Sequence, residues 1–202
     1  MSAADRLNVA KLRAAPPHCI IGREIVVLDE TTSTNDVVLQ MGKGGAAEGL
    51  VVFSEHQTAG RGQRGNVWKS ARGQGLLFSI LLRPNIPVQD SARLVDWAVK
   101  AIAWTLESTC HCQAIIKRPN DVYIAERKIA GVLVEMRAQA GAPHLAVVGI
   151  GINVNQTPRH FPEELREHAT SFAIVRGGPV DRNELAIALL RNLDLLYRKD
   201  FL

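Results

Sequence analysis

The sequence predicts an α+β domain, in which a mixed, mostly antiparallel sheet carries a few helices packed on it. Short apolar runs bounded by glycine, proline or charged residues recur along the chain and are typical of strands. Two longer segments carry apolar residues at helical spacing instead. Hydrophobic residues make up 47% of the 202 residues, which is enough for a buried core, and the chain has no internal repeats.

The first half of the chain predicts three strands. They are the apolar runs "EIVVL" at 24–28, "LVVFSE" at 50–55 and "LLFSILL" at 76–82, the last of which is followed by Pro84 and Pro87. Their length and their Val, Ile, Leu and Phe content fit strands with buried side chains.

Three helices are predicted from capping residues and apolar spacing. The segment "STNDVVLQMG" has Ser33 or Thr34 as an N-cap candidate and Gly42 as a stop. Residues 89–108 form the clearest helix, and Asp181 caps a last helix over about 182–199. The apolar faces are Leu94, Trp97, Ala98, Ala101, Ile102 and Leu106 in the first of these two, and Leu185, Leu189, Leu193 and Leu196 in the second.

The second half of the chain adds more strands. "QAIIK" at 113–117 predicts a strand, which "RPND" ends. "VYIA" and "IAGVLVEMR" predict a hairpin around 126–128, and "HLAVVGIGINVN" at 144–155 predicts the next strand. The order of the elements therefore favours a largely antiparallel sheet.

The composition limits the class of protein. The net charge of +4 and the pI near 9.2 are compatible with an anionic ligand. Aromatic residues are only 5% and are not interleaved with the arginines, which argues against a dedicated RNA-binding domain. An odd cysteine count of three argues against a disulfide framework and favours a reducing compartment. The run Cys110-His111-Cys112 lacks a second ligand pair at zinc spacing, so unpaired thiols are expected there.

The N-terminal residues 1–19, which contain Pro16 and Pro17, have no apolar region of the kind that signal peptides carry. We expect them to form a leader that is extended against the domain or loose. No apolar run approaches the length of a membrane span. A soluble, cytoplasmic protein without membrane contact is therefore expected.

A glycine-rich basic stretch, "HQTAGRGQRGNVWKS" at 56–70, follows the second strand. Gly60, Gly62 and Gly65 match G-x-G-x-x-G, but a dinucleotide site needs a strand running directly into the turn and a helix leaving it. Several residues intervene before Gly60, and no helical pattern follows. A P-loop is excluded as well, because Asn66 follows Gly65 where Lys-Ser/Thr is required.

Two interpretations of this loop stay open from its own residues. Glycine and arginine in a loop are often simply solvated. Alternatively, the glycines let the backbone close on a ligand and direct several N–H groups at it, and Arg61 and Arg64 add charge-assisted bonds to phosphate or carboxylate.

Polar residues at two further strand ends favour the functional interpretation. "KRPNDVYI" and "RKIAGVLVE" together carry Lys117, Asn120, Asp121 and Lys128, while "GIGINVN" carries Asn153. An ordinary turn explains each piece alone. All three lie at predicted strand ends, which is less easily explained by turns and indicates one site.

This set of residues suits the activation of a carboxylate by ATP. The carboxylate attacks the α-phosphate, so two anions must meet, and cations together with Mg²⁺ must offset their repulsion. Arg61, Arg64, Lys117 and Lys128 offer the charge, and Asp121 is a candidate for the metal or its water. No Ser/His/Asp, Cys/His or H-E-x-x-H signature indicates a hydrolase.

The motifs "STND", "EHQTAGRGQRGNVW", "KRPND", "RKIAGVLVE" and "GIGINVN" occur in the order seen in biotin–protein ligases, which the chain resembles over about residues 24–200. The resemblance implies the catalytic-domain fold of biotin and lipoate ligases over 20–202. It implies a ligase that makes biotinyl-5′-AMP from biotin and MgATP and passes the biotinyl group to one lysine of a biotin carboxyl carrier domain.

The resemblance also implies roles for individual residues. Lys128 is expected at the biotin carboxyl and the α-phosphate, Gly131 beside the valeryl chain, and Asp121 near the metal or the incoming amine. Catalytic roles are thus expected for Lys128, Arg61 and Asp121. Contacts with biotin are expected for Ser33, Thr34, Asn35, Gln57, Arg61, Gly62, Gln63 and Gly131. Contacts with ATP are expected for Arg64, Trp68, Lys117, Asn120 and Asn153.

The chain departs from the family pattern at several points. Arg118 replaces a usual tryptophan, and Gln63 replaces a usual second arginine. We expect neither the N-terminal DNA-binding domain nor the small C-terminal β domain of longer members, hence no DNA partner, while a homodimer remains compatible with the family. A lipoate or octanoate ligase or transferase and a non-catalytic binding module are the alternatives.

Overall fold

The computed structural model describes residues 6–13, 19–110, 112–139 and 144–202. These residues form a seven-stranded sheet with the strand order β1-β2-β3-β7-β6-β5-β4. The strands are β1 (Glu24–Leu28), β2 (Leu50–Ser54), β3 (Gly75–Leu82), β4 (Ile115–Lys117), β5 (Asp121–Ile124), β6 (Arg127–Arg137) and β7 (Leu145–Asn153). Only β1 and β2 pair in parallel among them, so the predicted mixed, mostly antiparallel sheet is confirmed.

Five α-helices accompany the sheet in the described residues: α1 (Val9–Leu12), α2 (Thr34–Lys43), α3 (Ala92–Cys110), α4 (Phe172–Arg176) and α5 (Arg182–Phe201). Short 3-10 turns lie at Gln63–Gly65, Val88–Asp90, Pro158–His160 and Glu163–Leu165. The two long helices and every strand of the prediction are present, with ends that differ by a few residues. No sequence pattern predicted α4 or the 3-10 turns around it.

Helices α3 and α5 pack against each other on one face of the sheet. Their contact is built from Trp97, whose indole Nε1 donates to the carbonyl of Leu193 at 3.1 Å and whose ring lies edge-on to Tyr197 at 5.5 Å. Asp181 caps α5 by accepting from the backbone of Asn183 and Glu184, as predicted. The main hydrophobic core therefore lies between these helices and the sheet.

Helix α2 covers part of the opposite face and connects the parallel strands β1 and β2. Its apolar side packs on a second, smaller core cluster that includes Val38, Leu81 and Leu145. Gly42 does not stop the helix, which continues to Lys43, so that detail of the prediction was wrong. A Cβ at Gly42 would lie 2.8 Å from Leu81 Cδ1 and 2.9 Å from Leu145 Cδ1, so the glycine allows close packing instead.

Part of the predicted leader belongs to the folded domain, which corrects the expectation of an extended or loose segment. Asn8 caps the short helix α1 by accepting from the backbone of Ala10 and Lys11. Leu7 and Leu12 are buried in the main core. Burial of these two side chains and a hydrogen bond from the backbone of Asn8 to Asn183 at 2.8 Å dock the segment. A four-residue helix has no apolar periodicity that reveals it beforehand.

A buried ion pair joins the ends of several elements. Arg182, at the start of α5, lies 2.7 Å from Glu55, at the end of β2, and both side chains are at most 3% exposed. Arg182 also donates to the carbonyl of Gly75 at 3.1 Å, and Glu55 accepts from the backbone of Leu7 at 2.8 Å. Glu55, before the glycine-rich loop, and Gly75, after it, are thus tied to one guanidinium group.

None of the helices in the described ranges is both long enough and apolar enough to cross a bilayer.

Candidate active site

A cavity of about 110 Å³ lies over the face of the sheet that α2 partly covers, beneath the glycine-rich loop. It brings together side chains from the start of α2, the loop, the turn before β5, and strands β6 and β7. The residues that line it are Ser33, Thr34, Asn35, Gln57, Arg61, Gly62, Gln63, Asn66, Val67, Trp68, Phe78, Asn120, Asp121, Lys128, Gly131, Val132, Leu133, Gly149, Ile150 and Gly151. Most of the residues predicted for the site therefore surround one space.

One end of the cavity is a wall of hydrogen-bonding groups at the start of α2. Ser33 occupies the N-cap position, but its side chain makes no capping hydrogen bond, so its hydroxyl is not used to stabilise the helix. The backbone N–H of Thr34 donates to Gln57 Oε1 at 2.8 Å, and Thr34 Oγ1 lies 2.7 Å from Ser79 Oγ. Asn35 continues this network to Glu135 at 2.7 Å. These side chains are held in defined orientations before any ligand is present.

Arg61 crosses the cavity mouth and is held by two carboxylates. Its guanidinium forms a two-point pair with Asp36, at 2.7 and 2.8 Å, and donates to Glu135 at 3.1 Å. The hydrogen bonds from Arg61 hold the pKa of Asp36 below its usual value, and those carboxylates raise the pKa of Arg61 above its own. Arg61 is therefore a charged group that is half exposed and already paired.

The other end of the cavity carries the ion pair between Lys128 and Asp121. Their Nζ and Oδ1 atoms are 2.7 Å apart, and both side chains are less than one-third exposed, at 32% and 23%. Asn120, just before Asp121, is oriented by donation from its Nδ2 to the carbonyl of Val132 at 2.8 Å. A cation and a carboxylate thus lie across the cavity from the polar wall at α2.

Trp68, in the glycine-rich loop, packs its indole against strands β6 and β7 between these two ends of the cavity. Its indole lies so close to Gly151 that a Cβ there would meet Trp68 Cε2 at 2.6 Å, and a Cβ at Gly131 would meet its Cζ3 at 3.2 Å. The ring also lies 5.6 Å from Lys128 Nζ. Its Nε1 is buried without a hydrogen-bond partner in the described residues, which costs about 1–3 kcal/mol. Gly131 and Gly151 thus leave room for the protein's own indole.

Backbone contacts shape the glycine-rich loop. Trp68 donates to the carbonyl of Gly60 at 2.9 Å, and Gly62 donates to Asn66 at 2.7 Å, so the loop folds back on itself. Gln63 begins a 3-10 turn and lines the cavity. No sequence pattern predicted this turn, because its residues carry no apolar period.

Three residues predicted to contact ATP lie outside this cavity. Arg64 is exposed with a backbone φ of 56°. Lys117 pairs with Glu126 at 3.1 Å and lies over the ring of Tyr123, while Asn153 accepts from Gln156 at 3.1 Å. Their roles stay predictions.

Within the described ranges no three His, Cys, Asp or Glu side chains cluster as metal ligands; the side chains of Cys110 and His111 lie outside the described residues.

Sequence reasoning missed the residues that hold the cavity-lining side chains in position. Asp36 and Glu135 hold Arg61, and Ser79 lies between Thr34 and Asn35. Gly149 lies directly against Asn35, because a Cβ there would be 2.2 Å from Asn35 Oδ1. A serine within the apolar run "LLFSILL" and a glutamate within "AGVLVEMR" were the available signals.

The comparison with known families defines the class of protein. The Biotin/lipoate A/B protein ligase family model matches residues 27–153, which include β1 to β7 apart from the first three residues of β1. The chain therefore belongs to the biotin/lipoate A/B protein ligase family.

Two curated relatives are similar to most of this chain. The Bifunctional ligase/repressor BirA of Bacillus subtilis (strain 168) is 35% identical over 193 residues, which are 96% of this chain and 59% of that protein. The Biotin--[acetyl-CoA-carboxylase] ligase of Mycobacterium tuberculosis is 33% identical, over 85% of this chain and 63% of its own length. The chain thus spans about three-fifths of the length of these curated relatives.

A solved structure shares the fold. The biotin protein ligase from Aquifex aeolicus in complex with biotin and ATP has a TM-score of 0.74 and 30% sequence identity, covering 88% of this chain and 71% of that one. The predicted catalytic-domain fold is confirmed by this likeness.

Proposed function

We propose that the chain is a biotin–protein ligase. It activates biotin with ATP to biotinyl-5′-AMP and transfers the biotinyl group to a specific lysine of a biotin carboxyl carrier domain. The observation that carries the proposal is the arrangement of one cavity, with a pre-oriented polar wall at Thr34 and Gln57, and with Lys128 at the other end. The biotin ligases among the relatives and the solved biotin and ATP complex support it.

In the first step, a carboxylate oxygen of biotin attacks the α-phosphorus of ATP. The bond to pyrophosphate breaks, and pyrophosphate leaves with the electron pair. Lys128 would stabilise the charge that the carboxylate and the phosphate share, and Arg61 would exchange its present carboxylate partners for the acyl phosphate. ATP enters with its Mg²⁺ as part of the substrate, and the role of Asp121 toward that ion is part of the proposal.

In the second step, the ε-amine of the acceptor lysine attacks the acyl carbonyl. AMP leaves, and the amine loses a proton as the amide forms. Asp121 is proposed to accept that proton once Lys128 turns to the nucleotide, and its pairing with Lys128 at 2.7 Å supports this role. Asn120, Asn153, Lys117, Arg64 and Trp68 are proposed to contact ATP, and the remaining cavity residues of the polar wall to contact biotin.

The bounds of the domain, its location and its partners belong to the same proposal. The catalytic domain is proposed over 20–202, acting in the cytoplasm. The acceptor is a carboxylase carrier domain; DNA and membranes are not partners. A homodimer that pairs through an edge strand of the sheet, β1 or β4, is compatible with the proposal.

Exchange of labelled pyrophosphate into ATP tests the proposal. We expect exchange that depends on biotin and on Mg²⁺ and that no other acid supports equally. Exchange supported by lipoate or octanoate but not by biotin would assign the chain to the lipoate branch of its family. If no acid supports exchange, fusion to the C-terminal domain of a longer relative distinguishes a non-catalytic binding module from a ligase that needs that domain.

A further inference from the structure

We propose that Gln156 is a positioning residue that joins the C-terminal end of the glycine-rich loop to Asn153 and thereby shapes the nucleotide end of the site. The inference rests on the proposed function in taking ATP as the ligand of Asn153 and Trp68. Gln156 follows β7 and is only 1% exposed, although glutamine is mostly found at protein surfaces. A buried amide costs free energy unless it is hydrogen-bonded, so its contacts indicate what it does there.

Asn153 lies on the face of the sheet that carries the cavity, beyond the indole of Trp68. Side chains alternate between the two faces along a strand, so Gly149, Gly151 and Asn153 of β7 share one face. Gly149 lies against Asn35 and Gly151 lies against Trp68, both within the cavity. Asn153 therefore continues this row by about 7 Å along the strand, on the side away from the polar wall at α2.

The side chain of Gln156 makes one contact with each of the two segments that it joins. Its Nε2 donates to Asn153 Oδ1 at 3.1 Å and to Ser70 Oγ at 3.2 Å. Among the described residues, no other side chain hydrogen-bonds to that of Asn153. Ser70 ends the glycine-rich loop two residues after Trp68, and its own donation goes to the carbonyl of the adjacent Ala71 at 3.4 Å. Gln156 is therefore the link from the side chain of Ser70 to the end of β7.

The surroundings of Gln156 hold its amide between these two segments. Ser171, which is fully buried and caps α4, donates from its Oγ to the backbone carbonyl of Gln156 at 2.6 Å. Gly75, which pairs with Asn153 across β3 and β7, leaves the space. A Cβ at Gly75 would lie 3.0 Å from Ser70 Oγ and 3.3 Å from Gln156 Nε2. The amide thus lies between the end of the loop and the end of β7, on a backbone that α4 fixes.

Loss of this amide should affect binding of the nucleotide more than binding of biotin. Without Gln156, the side chain of Asn153 loses its partner, and Ser70 is no longer tied to β7. Trp68, close to Ser70 in the same loop, is then held less firmly. The polar wall at the start of α2, where biotin is proposed to bind, makes none of these contacts.

Gln156→Met tests the inference, because it keeps the approximate size of the side chain and removes both hydrogen bonds. In pyrophosphate exchange we expect the KM for ATP to rise about tenfold, while the KM for biotin and kcat each change less than about twofold. Asn192→Leu is the matched control, since it removes an amide that donates to Thr105 on the other face of the sheet, and it should change neither KM. A folded Gln156→Met with a wild-type KM for ATP, or with both KM values raised equally, would overturn the inference.

Ser70→Ala is the second variant and carries the test if Gln156→Met fails to fold. It removes only the loop partner, at a partly buried position, and should raise the KM for ATP about threefold. The double variant should be no worse than Gln156→Met alone, because both changes remove the same contact. A wild-type KM for ATP in Ser70→Ala, or increases that multiply in the double variant, would show that the two residues act independently and would overturn the inference.

Amide hydrogen exchange of the ligand-free protein separates this inference from the proposed function. The backbone N–H of Trp68 donates to the carbonyl of Gly60 at 2.9 Å. Relative to the amides of β3, its hydrogen exchange should accelerate about tenfold in Gln156→Met and stay unchanged in Asn192→Leu. Equal hydrogen exchange in Gln156→Met and wild type would overturn the inference. Absence of biotin-dependent pyrophosphate exchange in wild type, with the faster hydrogen exchange present in Gln156→Met, would contradict the proposed function alone.

Discussion

Lys128 is the residue whose replacement separates a catalytic role from a structural one. Its ammonium lies 2.7 Å from Asp121 in the cavity, on a strand end that also bridges to Ala169 through the backbone. Lys128→Ala should lower the rate of biotinyl-5′-AMP formation about 100-fold or more, because one donor to the developing charge is lost. Rapid-quench measurement of adenylate formation checks this.

The thermal midpoint of the same variant should fall by only a few degrees, because a partly exposed ion pair contributes about 1 kcal/mol or less. Lys100→Ala, which removes an exposed lysine from α3, is the matched control and should keep the wild-type rate. Adenylate formation that survives in Lys128→Ala would identify Lys128 as an ordinary strand-end lysine.

Gln63 is expected to influence how tightly the loop holds the intermediate. It lines the cavity, whereas its neighbour Arg64 is exposed and outside it. A neutral amide makes weaker bonds to an acyl phosphate than a guanidinium fork does, by about 1 kcal/mol or more. Gln63→Arg should therefore slow the release of pre-formed biotinyl-5′-AMP by about tenfold, as followed in a stopped-flow chase with unlabelled intermediate. An unchanged release rate would indicate that another cation, such as Arg64, already serves the phosphate.

At the scale of the element, the glycine-rich loop is proposed to close over the intermediate and keep water from its mixed anhydride. Arg61, which now pairs with Asp36 and Glu135, would turn to the acyl phosphate as the loop orders. Trypsin cleavage after the exposed Arg64 should therefore slow about tenfold when biotin and ATP are present together.

Cleavage after the exposed Arg176, at the end of α4, serves as the internal control and should not change. Equal cutting at Arg64 with and without ligands would end the closing-loop hypothesis.

The pair between Arg61 and Asp36 also predicts a pH dependence for the ligand-free loop. Because the folded-state pKa of Asp36 lies below its ordinary value of 3.8, the pair stabilises the loop above that value and is lost as pH falls through the lowered pKa. Hydrogen exchange at Gly62 and Trp68, whose amides donate within the loop, should thus accelerate only in that acid range after correction for intrinsic rates. Asp36→Asn should show the faster exchange already at pH 7, and a flat profile shared by both proteins would contradict this dependence.

At the scale of the whole molecule, the ion pair between Glu55 and Arg182 connects the N-terminal segment, the sheet and α5. Removing one partner of a buried pair leaves an uncompensated charge, so Arg182→Met should lower the free energy of unfolding by about 3–5 kcal/mol. Chemical denaturation checks this, with Arg118→Ala as the control, since the Arg118–Asp96 pair is at the surface and contributes about 1 kcal/mol or less. The double variant Glu55→Gln with Arg182→Met should lose less free energy of unfolding than the two single variants lose together. Losses that add strictly would show that the two groups do not act as a pair.

The sequence by itself determined the strands, the long helices and the chemical types that the site needs. Apolar periodicity sufficed for α3 and α5, since residues such as Trp97 and Leu193 are buried wherever a helix of that period meets a core. Loop composition left a solvated loop and a ligand-binding loop both open for Arg61 and the glycines, and the expected contact of Gln57 with biotin came from the family resemblance.

Only the tertiary structure decided how those groups are oriented and which of them meet. Ser79 and Glu135 are far from Thr34 and Arg61 along the chain, and their contacts depend on the register between β3, β7 and β6, which no local pattern encodes. The same long-range packing left Arg64 and Lys117 outside the cavity and placed the indole of Trp68 against Gly151. Hydrogen-bond direction and ion pairing are properties of atoms brought together by folding, whereas periodicity and residue type are already present in the unfolded chain.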